Sequence, residues 1–237
     1  MRLDALDAAK IAQHAEHAFV GTPCGMMDML VSAAAVPDHA LLIDCTSMSQ
    51  TPVALPPSDE LGIMIVDSGE THTLATGEYA QRTASCARVE HALGGSLRTL
   101  DESTLEELNL DPLDAQRALH VIRENARVQE AVEALRNNDL VRLGELLFEG
   151  HASLRDLYNV STPTLDLIVA TARELHGAGV FGARMTGGGF GGCVVVLHEP
   201  GAAETIKDSI SQSVRRSVGR TPRIDSVCAA GGAGRLY

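Results

Sequence analysis

The chain has 237 residues, 45% of them hydrophobic, enough for one large domain or two small ones with a sizeable core. Nineteen basic against 31 acidic residues give a net charge of −12 with no basic run, which argues against nucleic acid or an anionic membrane as a partner. No stretch approaches the ~18 to 20 apolar residues of a membrane span. The five cysteines are widely spaced and contain no Cys-x-x-Cys pair, which points to reduced thiols in a cytoplasm.

In chain order, Leu3, Leu6, Ala9, Ala12, Ala15 and Phe19 recur at helical steps and predict an amphipathic helix from about Asp4. Nothing in this opening, with Arg2, Asp4 and Asp7, forms the apolar core of a signal peptide. Gly21 to Pro23 breaks the helix. A second helix is predicted from about Gly25, with Met27, Leu30, Val31 and Ala34 on one side, and Pro37 stops it. Ala40 to Cys45 and Leu61 to Val66 are short apolar runs between polar or proline residues and predict buried strands.

The middle of the chain predicts helices over Gly77 to Ala92, near Leu105, and from Asp111 to Asn137. In the last of these Asp111 is placed to cap and Pro112 to occupy the first helical position, where its missing N–H costs nothing. Further helices are expected from Leu140 to about Leu157, from Pro163 to near Gly177, and from Ala202 to Val218. Val180 to Thr186 and Val194 to Leu197 carry the β-branched bias of strands, and a last strand is expected over Arg223 to Cys228.

From Leu61 onward the order strand, helices, strand, hairpin strand, helix, strand is a split β-α-β arrangement with extra helices after its first strand. The segment before Leu61 reads as two helices and one strand, too little to bury its own faces, and is expected to expose apolar surface. The fold class is therefore α/β in the α+β sense. An incomplete amino-terminal domain spans 1–58, and a split β-α-β carboxy-terminal domain with inserted helices spans 59–237.

Two segments carry chemistry. Met185 to Cys193 reads Met-Thr-Gly-Gly-Gly-Phe-Gly-Gly-Cys between two apolar strands. A hairpin turn needs one or two glycines. The run from Gly187 to Gly192 exceeds that and leaves a bare backbone whose N–H groups can cradle an anion. The other segment is Gly21-Thr-Pro-Cys-Gly-Met-Met-Asp28, a turn leading into a helix with a carboxylate in its first turn. Asp28 is accounted for either by the helix macrodipole, which favours an acid there, or by work as a base in a cleft. His17, His39, His72 and His151 show no metal-ligand spacing and read as core or surface residues.

Ala15 to Asp28, His39 to Cys45 and Met185 to Cys193 together closely resemble galactokinases, members of the GHMP small-molecule kinase superfamily. Gly77-Glu-Tyr79, Ser153-Leu-Arg-Asp156, and Tyr158-Asn-Val-Ser161 with Pro163 and Asp166 extend the resemblance over nearly the whole chain. It implies ATP-dependent phosphorylation of galactose, with Asp28 as the catalytic carboxylate acting on the anomeric hydroxyl. By the same resemblance Tyr79 touches the sugar, Gly25 lays its backbone against it, and Gly187, Gly188 and Gly189 shape the sugar and phosphate pocket. Glu16 falls where relatives hold Mg²⁺, a hard ion content with one or two carboxylates, phosphate oxygens and water.

Two family signatures that precede the catalytic aspartate are not found: a sugar-binding motif and a Gly/Ser-rich loop around the ATP phosphates. The expectation is a fragment without its amino-terminal segment, poorly soluble and nearly inactive by itself, because phosphoryl transfer depends on neutralising charge over the transferred group. Met29, Thr46 and Thr83 also stand where relatives commonly have Gln, Arg and Arg. The alternatives are a non-catalytic galactokinase-like regulator that binds sugar or nucleotide, and an inert truncation. Galactose binding without ATP turnover separates them.

Overall fold

The computed structural model describes residues 4–21, 24–70 and 78–234, with the backbone alone at 78–80. The chain forms two compact units, Met1–Ser58 with Cys228–Tyr237, and Asp59–Val227.

In the first unit, helix α1 (Ala5–Ala15) starts at Asp4, whose carboxylate accepts the Asp7 N–H at 2.7 Å. It runs on as a π-helical turn over Glu16–Val20 and ends at Gly21. Helix α2 (Met27–Ala34) follows. Strands β1 (His39–Asp44) and β2 (Ser49–Ala54) pair antiparallel, Leu42 opposite Thr51. The Asp44 carboxylate closes their turn by accepting the Thr46 and Ser47 amides at 2.9 Å. The chain returns to this unit after residue 227, where the Gly232 and Ala233 amides donate to the Ala35 and Ser32 carbonyls, each at 2.7 Å.

One expectation needs correction here. The sequence reading contained no strand between Cys45 and Leu61. Polar residues and Pro52 hide β2, but a two-stranded ribbon has free edges that tolerate a residue without an N–H. The apolar surface expected to lie open in this segment is found on α2, where Leu30 is fully buried while Met27 and Val31 are exposed. On the first helical segment Ala9 is buried, but Ala12, Ala15 and Phe19 are exposed, Phe19 by 86%. Periodicity identified helices, but their small number left too little chain to cover each stripe.

The second unit is built on an antiparallel sheet of order β4-β5-β3-β6, with β3 at Gly62–Asp67, β4 at Val180–Met185, β5 at Cys193–His198 and β6 at Arg223–Val227. This is the expected split β-α-β order. Register places Met185, Val194, Val66 and Ile224 in one cross-strand row and Ala183, Val196 and Met64 in another. All but Ile224 are fully buried, the period-2 pattern of a sheet with one covered face. The cover is helix α7 (Pro163–Glu174) and helix α8 (Ala203–Val218), through Leu165, Ile168, Ile206, Ile210 and Val214. Thr162 caps α7 and Pro163 takes its first position.

The inserted helices are α3 (Glu78–Leu93), α4 (Glu102–Glu107), α5 (Pro112–Arg136) and α6 (Leu140–Asp156). Asp111 caps α5 as its sequence required, accepting the Leu113 N–H at 2.9 Å. Val89, Leu97, Leu100, Leu105 and Ala118 give these helices a core of their own. Helix α6 lies along the free edge of β4 so closely that a Cβ at Gly144 would sit 1.9 Å from the Phe181 carbonyl oxygen.

Candidate active site

The glycine loop joins β4 to β5, and the structure divides its glycines by what they face. Thr186, Gly187 and Gly188 are exposed, with no atom near the Cβ direction of either glycine. Gly189 and Gly191 are buried against the chain itself. A Cβ at Gly189 would meet the Val160 carbonyl oxygen at 2.3 Å, and one at Gly191 the Glu70 carbonyl oxygen at 2.5 Å. The amides follow the same division. Phe190 donates to the Val160 carbonyl at 2.6 Å and Gly192 to the Glu70 carbonyl at 3.1 Å, while the Gly187, Gly188 and Gly189 amides donate to no group among the described residues. Among the described residues, amides without a partner are therefore confined to the first half of the run, and the second half is an anchor.

The anchor has three supports. Glu70, just after β3, accepts hydroxyl hydrogen bonds from Thr162 and Thr164 at the start of α7, and Arg220 lies 3.5 Å from the same carboxylate. Phe190 holds a left-handed φ of 61°, a costly conformation for an aromatic residue. Its ring is covered by the Arg82 guanidinium at 4.9 Å, and Arg82 also donates to the Asn159 carbonyl at 2.6 Å and the Tyr158 carbonyl at 3.3 Å. The third support is buried His151 on α6, whose Nδ1 accepts the Met185 N–H at 3.3 Å at the last residue before the loop. Its Nε2 is 3.1 Å from the Asp166 carboxylate.

In the first unit Asp28 occupies the first turn of α2 and is exposed. It accepts no hydrogen bond among the described residues, so it does not act as a side-chain cap. The turn before it is tied back to α1: Gln13 Nε2 donates to the Cys24 carbonyl at 3.1 Å, and the Cys24 amide donates to His17 Nε2 at 3.2 Å. Gly25 is exposed, lies outside the left-handed region, and has nothing within 4 Å of its Cβ direction. Nothing among the described residues of the unit requires glycine there. Glu16 is half-buried in the π-helical turn and carries no hydrogen bond among the described residues. Tyr79 is in the first turn of α3, but its side chain, like Gly77, lies outside the described residues. No group of three or more His, Cys, Asp or Glu residues able to hold a metal occurs among the described residues, and no helix among them is long and apolar enough to cross a membrane.

The sequence reading missed Glu70, Thr162, Thr164, Arg82 and His151 as parts of the loop's setting. Only Thr162 carries a local signal, the capping Thr-Pro pair. Glu70 and Thr162 are 92 residues apart, and no local pattern joins them.

Residues 131–216 match the family model described as GHMP kinases C terminal. The chain is 41% identical over 240 residues to a galactokinase of Roseiflexus sp. (strain RS-1), covering 97% of this chain and 60% of that protein. It is 39% identical over 236 residues to a galactokinase of Mycobacterium tuberculosis, covering 98% of this chain and 64% of that protein. Among solved structures, a Lactococcus lactis galactokinase complexed with galactose superposes with a TM-score of 0.93 at 27% identity, over 100% of this chain and 62% of that one. An L. major mevalonate kinase matches at a TM-score of 0.59 and 21% identity, a likeness of fold alone. The chain spans about 60% of the length of the curated relatives it matches. The chain is therefore similar to galactokinases in sequence along nearly its whole length and in fold, and its residues 131–216 match the carboxy-terminal region of GHMP kinases.

Proposed function

We propose that this chain serves ATP-dependent phosphorylation of galactose to galactose 1-phosphate in a cytoplasmic protein. The observation that carries the reading is the glycine loop. Inside a galactokinase-like fold it presents Gly187, Gly188 and Gly189 amides with no partner among the described residues, while its other half is fixed to the protein. Donors held in place before charge develops lower the barrier to phosphoryl transfer, because no reorganisation is needed at the moment of reaction.

In this mechanism the C1 hydroxyl oxygen of galactose attacks the γ-phosphorus of ATP. The bond from that phosphorus to the β–γ bridging oxygen breaks, and ADP leaves with the electron pair. The hydroxyl proton passes to the Asp28 carboxylate, which has no competing hydrogen bond among the described residues. Gly25 admits the sugar against its backbone, and the Tyr79 hydroxyl, a donor and an acceptor, contacts it. Glu16, a hard oxygen donor with no hydrogen-bond partner among the described residues, fits the single protein carboxylate that Mg²⁺ commonly takes alongside phosphate oxygens and water. When bound, the ion neutralises charge on the phosphates. The five cysteines, all free, suit a reducing cytoplasm.

The test uses the full-length protein that contains this chain, with ADP release measured on galactose and on its epimers. Galactose is expected to be the preferred acceptor. Asp28→Ala, at an exposed position, is expected to keep the fold and lower kcat about 10²- to 10⁴-fold. Unchanged turnover in that variant removes Asp28 from the mechanism. Equal turnover of several epimers removes the galactose assignment, and galactose binding with no turnover makes the protein a sugar-binding regulator.

A further inference from the structure

We propose that His151 is a positioning residue for the glycine loop. It fixes the point where β4 ends, and through Asp166 and Ser161 it ties that point to the carbonyl that holds the loop's middle. The proposal rests on the galactokinase reading only for its activity readout.

The hydrogen bonds form one continuous path. His151 is 2% exposed, and its Nδ1 accepts the Met185 N–H, so in the neutral ring the proton resides on Nε2 and points to Asp166 Oδ1 at 3.1 Å. The same Oδ1 accepts the Ser161 hydroxyl at 2.6 Å. Ser161 adjoins Val160, whose carbonyl accepts the Phe190 N–H and whose backbone closes on Gly189. The start and the middle of the loop are thus held by one chain of contacts passing through an imidazole. Burial holds that imidazole below the ordinary histidine range. The Asp166 carboxylate pulls the other way, and Arg155 and Arg184 add to the effect of burial. The Nδ1 lone pair is consequently available to Met185 at neutral pH.

The geometry of α6 explains why a side chain can do this. Strand β4 is an edge of the sheet, so its outward N–H groups have no strand partner. From Gly144 to His151 helix α6 rises about 10 Å, and from Gly182 to Met185 the strand advances about 10 Å. The helix therefore meets the strand backbone to backbone at Gly144 and reaches it again with His151 where the loop begins.

The test compares His151→Asn, His151→Gln and His151→Ala in the full-length protein. Asparagine can place an amide oxygen near the Nδ1 position and keep the Met185 N–H satisfied, whereas glutamine reaches the Nε2 position and leaves that N–H without an acceptor. Amide hydrogen exchange is read at Met185, the direct partner, and at Phe190, which His151 does not touch. The alanine and glutamine variants are expected to speed exchange at both amides at least about tenfold. They should also lower kcat about tenfold to a hundredfold, with the galactose KM changed less than about threefold. Asparagine, which keeps the Met185 contact and gives up the one to Asp166, is expected to restore exchange at Met185 to within about threefold of the unsubstituted protein and to recover Phe190 exchange and kcat in part.

If asparagine is as impaired as alanine, or if Phe190 exchange stays unchanged while Met185 speeds up, the positioning role is overturned. Should alanine fail to fold, the two amide variants decide alone. If the unsubstituted protein turns over no galactose, the functional reading fails while the exchange comparison still judges His151.

Discussion

At the scale of single residues, the glycine run holds two kinds of glycine that look alike in sequence. Gly188 is exposed, lies outside the left-handed region, and has open space in its Cβ direction. Gly191 is buried, with φ of 131° and the Glu70 carbonyl oxygen 2.5 Å from where a Cβ would be. Gly188→Ala is therefore expected to change stability by less than about 0.5 kcal/mol while lowering kcat/KM for ATP, since a methyl group would project from the cradle. Gly191→Ala is expected to lower stability by about 2 kcal/mol or more, through strain and overpacking together. Denaturant unfolding beside steady-state kinetics separates the two, and equal stability loss in both variants contradicts the division of the loop. The loop was legible because it stands in a short motif. His151 was not, because its value comes from Met185 and Asp166, brought to it by folding.

At the scale of elements, helix starts were the most legible features. Asp111 with Pro112 and Thr162 with Pro163 encode their helices within four residues, since a cap satisfies backbone donors that lie immediately after it. Strand β2 escaped because its six residues include Pro52 and three polar side chains, and only pairing with β1 makes it a strand. The contact of α6 with β4 is equally invisible locally. Gly144 reads as a weak point in a helix, worth about 1 kcal/mol to replace by alanine on propensity alone. The structure reverses the sign. Gly144→Ala would drive a methyl into the Phe181 carbonyl, and it is expected to destabilise the second unit by about 2 kcal/mol or more. A stabilised variant in thermal unfolding would disprove the close approach.

At the scale of the whole molecule, the buried histidines give the stability a direction in pH. His120 is 5% exposed, stacks on Tyr158 with ring centroids 4.5 Å apart, and lies 2.8 Å from the Ser153 hydroxyl. Burial lowers its pKa from the ordinary 6.5 to about 4, with Glu124 opposing and Arg184 and Arg127 assisting. The unfolded chain therefore binds a proton that the folded one refuses. Stability from this group is fully present above pH 6.5 and is lost as pH falls toward about 4, on the order of 3 kcal/mol in all. His151 acts in the same direction. In His120→Gln the unfolding free energy is expected to fall less steeply between pH 6.5 and 4, even though the variant starts lower at pH 7. An unchanged slope would show that the ring does not titrate as its burial requires.

The sequence by itself determined the helix boundaries, the order of elements that makes a split β-α-β sheet, and the resemblance to galactokinases. All of these rest on near neighbours or on short motifs kept in order. Only the tertiary structure decided which glycine amides the protein keeps for itself, which apolar stripes stay uncovered, and which histidine holds the loop. Those outcomes depend on close approach between segments far apart in the chain, where a carbonyl at Glu70 or Val160 either occupies a space or leaves it open, and local propensity carries no record of that.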